Sequence, residues 1–246
     1  MNNEIEDIHE FLSVFSKKYE NNTTGQKDVE VLRQSILSPS ECMYVLDFSM
    51  NDMSFRRGFK DFLGYTDESI SLVNYMDLIH PEDIDMVSRI GKAAILHTSS
   101  HSKENTDSVL YLSFRIQKND GHYIKVLSQS SVFETNVDGQ MISSLVKVSD
   151  ISFMEDNTLV KYNYVAPNLD QKIFKREIYP ENHDLFTRRE LEIIKEICNG
   201  ATNEQISNSL QISKHTVAAH RKKILKKSST HSADELIFFC RKYGVI

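Results

Sequence analysis

A chain of 246 residues, 40% hydrophobic and 26% charged, has room for two ordinary domains, each with its own core, and is not a disordered chain. No apolar run reaches the ~20 residues of a membrane-spanning helix, and no secretory signal pattern opens the sequence. Three scattered cysteines, Cys42, Cys198 and Cys240, form no C-x-x-C pair, which favours a reducing cytoplasm over a disulfide framework or a zinc site. The net charge of −6 hides a division: Asp184–Ile246 holds 11 Lys and Arg against 7 Asp and Glu, a net of +4, and the rest holds 18 against 28, a net of −10. A basic module on an acidic body suits a polyanion-binding head on a soluble partner domain.

In residues 1–40, Ile5, Ile8, Leu12, Phe15 and Tyr19 recur at spacings of three and four. They predict an amphipathic helix over Asn3–Tyr19 that either covers the next domain or pairs with a second copy. Val29–Leu37 follows as a short helix or irregular lead-in. Cys42–Phe48 and Met53–Phe55 read as strands. Gly58–Tyr65 carries Phe59, Phe62 and Leu63. Pro81 opens a helix to about Leu96, proline being tolerated in a first turn, and His97–Thr106 reads as a loop. Val109–Gln117 alternates with period two. Two Asp-Gly turns, at Asp120-Gly121 and Asp138-Gly139, then separate strands His122–Phe133 and Met141–Val148. Residues 153–183 form the connection, within which Thr158–Val165 is a strand or a short helix.

The fragments Leu63-Gly64-Tyr65, Ile79-His80-Pro81-Glu82-Asp83, Asn119-Asp120-Gly121 and Ser149-Asp150-Ile151, in this order and spacing, resemble a PAS domain over residues 41–152. The resemblance implies a five-stranded antiparallel sheet with helices over one face, and a role in sensing or dimerisation. The buried interior is assigned to Phe55, Phe59, Phe62, Phe114, Ile116 and Val126. These side chains fill it in the favoured reading, or line a site for a small, partly apolar, noncovalent ligand in the other. No light-sensing Asn-Cys-Arg-Phe motif is present. His80 and His97 bracket the long helix; a structural or capping role is expected of His80, and haem ligation of neither. No resident cofactor is expected.

In residues 184–246 the local signals are dense. Thr187-Arg188-Arg189-Glu190, Thr202-Asn203-Glu204-Gln205 and Ser232-Ala233-Asp234-Glu235 read as capping boxes that start helices. Ser213 caps a helix to Lys227, on which Val217, His220 and Ile224 share one face. His215, Ala218, Ala219, Lys222 and Lys226 lie opposite, where small residues permit close approach and cations meet phosphates. Two short helices joined by a brief turn, with supporting helices around them, make a four-helix, all-α helix-turn-helix domain.

The run Phe186-Thr187-x-Arg189-Glu190, Gly200-x-Thr202-Asn203-x-Gln205-Ile206, Leu210-x-Ile212-Ser213 and Thr216-Val217-x-x-His220 closely resembles the DNA-binding domain of the LuxR family. The family often has Lys after Thr-Val, where this chain has Ala218, so that contact is either missing or supplied by Lys222 or His215. His220 matches an inward-facing family position. The chain is thus expected to be α+β in front and all-α behind, a cytoplasmic transcription regulator without catalytic residues. Lys222 and His215 are expected at base edges, with Lys214, Arg221, Lys223, Lys226 and the Thr202–Asn203 helix start nearer phosphates. Phe238 and Phe239 on the last helix are assigned to a homodimer interface. Two alternatives stand beside this reading: a cofactor-dependent redox or light sensor, and a ligand-free PAS module that controls DNA binding through protein contacts.

Overall fold

The computed structural model describes residue 11 and residues 29–100, 107–154, 159–179 and 185–245. The Asn3–Tyr19 helix and the turn after it lie outside these residues, apart from Phe11. The chain divides into two units, Met1–Phe174 and Lys175–Ile246. Among the described residues no helix is long and apolar enough to cross a membrane.

The first unit is built on an antiparallel sheet. Its strands are β1 (Glu41–Asp47), β2 (Asp52–Arg57), β3 (Val109–Gln117), β4 (Tyr123–Thr135), β5 (Met141–Asp150) and β6 (Lys161–Val165), in the spatial order β2-β1-β5-β4-β3-β6. The helical segments are α1 (Glu30–Gln34), α2 (Phe59–Leu63), α3 (Leu72–Asp77) and α4 (Ile84–Ser100). The expected five strands are therefore six. In Lys161-Tyr162-Asn163-Tyr164-Val165 the tyrosines alternate with polar or exposed positions, and five residues pair antiparallel with the nine-residue β3, whose edge is otherwise open. Backbone groups on an open edge need partners, and a β-favouring tyrosine pair supplies them. The helix expected to stop near Leu96 continues through Ser100.

The fragments that carried the resemblance meet in space. The Asn119 side chain donates to the Gly64 carbonyl at 2.8 Å, and its backbone N–H donates to the Leu63 carbonyl at 2.9 Å. Asp83, almost fully buried, accepts from the Arg115 backbone at 2.8 Å and from its guanidinium at 2.6 and 3.1 Å. Glu82 accepts from the same guanidinium at 2.9 Å. The carboxylates at the start of α4 thus fix β3, and the hydrogen bonds to Asp83 and Glu82 hold the Arg115 guanidinium above its usual range against the opposing effect of burial. His80 Nδ1 accepts from the Glu82 amide at 3.2 Å, the structural role expected of it. On the sheet's other face Leu32, Met43, Val45 and Phe55 form a separate buried cluster, with Val29 and Leu37 of the α1 region packed against it.

Gly58, which precedes α2, has φ +87°, and a Cβ there would lie 2.5 Å from Leu37 Cδ2 and 2.7 Å from the Glu41 carbonyl. The backbone oxygen cannot swing away as a side chain can. Gly58→Ala is therefore expected to destabilise this unit by about 1–3 kcal/mol, read as a lower midpoint in urea unfolding of the full chain with DNA binding at low urea retained.

The second unit holds α6 (Arg188–Cys198), α7 (Asn203–Leu210), α8 (Lys214–Lys227) and α9 (Ala233–Lys242). The short α5 (Gln171–Ile178) precedes them and crosses the division between the units. Their core is Ile193, Ile194, Ile197, Ile206, Val217, Ile224, Leu236 and Cys240, with Phe186 at its border. This is the all-α domain expected of the C-terminal sequence.

Candidate functional site

The helix starts are set by side chains satisfying free backbone amides. Thr187 and Glu190 form a reciprocal capping box, with bonds of 2.8 and 3.3 Å, and so do Thr202 and Gln205, again at 2.8 and 3.3 Å. Ser213 accepts from the Thr216 amide at 3.0 Å and starts α8. The third expected box is only half formed. Ser232 accepts from the Glu235 amide at 3.1 Å, but the Glu235 carboxylate reaches past the cap to the His231 amide at 2.6 Å. The turn between α7 and α8 passes through Gln211 at φ 52°, a left-handed position taken without glycine. Arg189 on α6 donates to the Leu210 carbonyl at 2.7 Å, holding the end of α7.

On α8, Val217 and Ile224 are fully buried, and His220 is half-buried with Nδ1 turned inside and unpartnered. Across the helix, Lys214, His215, Ala218, Ala219, Lys222, Lys223 and Lys226 are exposed and Arg221 is half-buried. Thr202 and Asn203 are exposed at the start of α7. The face is one a DNA groove can accept: two alanines at its centre, cations around them. Lys214 is more constrained than the sequence indicates, because its ammonium lies 2.6 Å from Glu204. Lys227, which the sequence counts in the basic surround, instead meets the buried Glu190 at 2.6 Å.

On α9, Phe238 is 50% exposed. Phe239 lies on the flank of the helix. It is half-buried, lying 6.4 Å edge-on from Phe186 and 4.8 Å from Tyr243 between ring centroids. One residue is a 100° turn of the helix, which carries Phe239 to the core flank and leaves Phe238 outside.

Residues 184–240 match the family described as bacterial regulatory proteins, luxR family. These residues are a LuxR-family regulatory domain. Residues 53–145 match the PAS fold, so the chain joins a PAS domain to a LuxR-type domain. The chain is similar to the uncharacterized response regulatory protein YgeK of Escherichia coli K12, 44% identical over 75 residues, which are 30% of this chain and 49% of that protein. It is also similar to the nitrate/nitrite response regulator protein NarP of the same organism, 34% identical over 70 residues, 27% of this chain and 33% of NarP. The chain thus spans about half of YgeK and a third of NarP. Among solved structures, the phage VqmA–DPO complex aligns over 88% of this chain and 87% of its own, at 12% identity and a TM-score of 0.37. The N-terminal domain of a Marinobacter aquaeolei diguanylate cyclase with PAS/PAC sensor aligns over 46% of this chain and 96% of its own, at 16% identity and a TM-score of 0.37.

The PAS unit holds a half-open cavity of about 140 Å³ between the sheet and helices α3 and α4. The favoured expectation of a filled interior is thereby corrected, and so are most of its proposed lining residues. Of the six, Phe114 lines the cavity; Phe55, Phe59, Phe62, Ile116 and Val126 are buried elsewhere. Phe55 sits in the cluster on the opposite sheet face, and Ile116 pairs with Ile79 in an isolated bridge. Aromatic side chains fill space well, so the residues easiest to nominate from sequence are those that leave no cavity. The cavity is instead bordered by Tyr44, Tyr75, Gly91, Thr98, Ser128 and Tyr164, among others. His97 rests edge-on to Tyr164 at 5.6 Å and lies outside the lining.

Proposed function

We propose that the protein is a cytoplasmic transcription regulator that binds duplex DNA through α8 as a homodimer, with the PAS unit as its sensory part. The observation that carries this reading is the division of α8 into a buried apolar face and an exposed face where Ala218 and Ala219 are surrounded by Lys222, Lys223 and Lys226. Within it Lys222 and His215 face base edges, while Lys226, Lys223, Arg221 and Lys214 meet phosphates with the first amides of α7 at Thr202 and Asn203. YgeK is named a response regulatory protein and NarP a response regulator protein, which agrees with a regulatory role. The test is selection of bound sequences from a random duplex pool with the full chain. An enriched two-half-site sequence supports the reading, and no enrichment at low salt overturns it.

The dimer is assigned to Phe238 on α9, beside a shallow depression formed by Ser228, Asp234 and Lys242. Two-fold pairing of this face would match a two-half-site operator. Phe238→Asp leaves the domain folded, since the side chain is outside the core, and is expected to abolish cooperative occupancy of two half-sites while single-half-site affinity stays within about twofold. Unchanged cooperativity together with unchanged sedimentation would place the dimer contact elsewhere.

A further inference from the structure

The cavity of the PAS unit has a composition that specifies its occupant more narrowly than its position does. Its lining contains no Asp, Glu, Lys, Arg or His among the described residues. A charged ligand would leave water with no counter-charge to meet it, which is strongly unfavourable. The lining is otherwise apolar, apart from hydroxyls contributed by tyrosines, serines and one threonine.

Two of these hydroxyls are under-used. Tyr75 is 2% exposed, and its hydroxyl lies near that of Tyr44 without making a hydrogen bond of good geometry. Ser108 is 3% exposed, and its hydroxyl stands in the same relation to that of Tyr164. Tyr164 itself is committed, bonding Thr98 Oγ1 at 2.7 Å. Burial pushes the Tyr75 hydroxyl well above its ordinary range, so it stays a neutral donor and acceptor. Buried polar groups with poorly aligned partners gain from a better-placed one, which a polar substituent in the cavity would supply.

The third observation is Gly91. It lies in the interior of α4 and lines the cavity, and a Cβ placed there would meet nothing within 4 Å. Glycine inside a helix is destabilising relative to alanine, yet no neighbour here requires it. What the missing side chain provides is room. A dry cavity of about 150 Å³ accepts one benzene ring, and this one measures about 140 Å³.

We infer that the cavity binds an uncharged single-ring molecule with a polar substituent, taking hydrogen bonds from Tyr75 and Ser108 and using the space left open at Gly91. This inference rests on reading the PAS unit as the sensory part of the protein, and it gives that unit a ligand class. A phosphate or carboxylate buried in the cavity is disfavoured by the uncharged lining.

The experiment titrates the full chain with 4-fluorophenol, fluorobenzene and 4-fluorobenzoate at neutral pH, following each by fluorine NMR. 4-Fluorophenol should bind about fivefold more tightly than fluorobenzene, the value of one net hydrogen bond, and 4-fluorobenzoate should not bind. The Tyr75→Phe, Ser108→Ala double variant should bring 4-fluorophenol down to the affinity of fluorobenzene and leave fluorobenzene unchanged. Gly91→Leu should abolish binding of both neutral probes with an unfolding temperature at or above that of the wild type. If that variant does not fold, Gly91→Ala should weaken both probes severalfold. Equal binding of 4-fluorobenzoate, retained binding in a folded Gly91→Leu variant, or no binding of any probe overturns the inference. Operator binding measured on the same wild-type sample separates the outcomes: probe failure with intact operator binding removes the ligand class alone, and operator failure with bound probes removes the DNA reading alone.

Discussion

Lys222→Ala is expected to lower affinity for a selected operator by about 5- to 150-fold, equivalent to ~1–3 kcal/mol for a base-reading side chain, while affinity for unrelated duplexes falls much less. Its position is the reason. Lys222 follows Ala218 by four residues on the exposed face of α8, opposite Val217 and Ile224, which are fully buried. Two alanines beside it let the helix approach closely enough for a lysine to reach a base edge in the major groove. Lys226 lies one turn further toward the helix end, where the groove walls are phosphates. Lys226→Ala is accordingly expected to weaken all sequences alike and to reduce the slope of log affinity against log salt by about one. Competition binding at several salt concentrations separates the two effects. Equal operator affinity for the wild type and a Lys222→Ala, Lys226→Ala double variant would sink the assignment of α8.

The second unit was legible in sequence because its signals are local. Thr187 with Glu190, Thr202 with Gln205, and Ser213 with Thr216 each act within four residues, and each forms the cap expected of it. What was not legible there depends on partners distant in the chain. Lys214 is drawn to Glu204, and Lys227 to Glu190 on another helix. The turn geometry gave a hint for Lys227: it stands two turns beyond His220, on the same inward flank, and so points away from the exposed face.

In the first unit the strands and turns followed from alternation and from Asp-Gly pairs, but the cavity did not. A cavity is the absence of side chains at the meeting of several elements, here β1, β3, β4, β5, β6, α3 and α4. Its best local signal was a glycine inside an amphipathic helix, Gly91, together with serines on inward strand positions such as Ser128 and Ser144, where a filled core would place larger apolar residues. The sixth strand was hidden for a related reason. Residues 161–165 form a strand only because β3 offers an open edge, which no window around Tyr162 and Tyr164 contains.

Lys227→Met is expected to have the largest effect on the stability of the second unit. The Glu190 side chain is only 4% exposed and accepts from three donors: the Thr187 amide at 2.8 Å, the Thr187 side chain, and the Lys227 ammonium at 2.6 Å. Burial by itself raises the Glu190 carboxyl, but the Lys227 ammonium and Thr187 outweigh it, and the group lies below its usual range. Removing the cation leaves a buried carboxylate with only its capping-box partners. Breaking a buried pair from one side is strongly destabilising, but Lys227 is itself about a third exposed and water screens part of the attraction, so the cost is about 2 kcal/mol. For a domain of this size that corresponds to roughly 8–16 °C in unfolding temperature. The pH dependence carries the diagnostic sign. A carboxyl whose folded pKa is depressed contributes stability that is present above its unfolded value and is lost as pH falls through the folded one. The wild-type unit should therefore lose stability on acidification below the ordinary carboxylate range. In Lys227→Met, where burial acts with less opposition, that loss should be shallower. Calorimetric scans of both proteins from neutral to acidic pH check this, and parallel curves would show that Lys227 contributes through its packing and not through its charge.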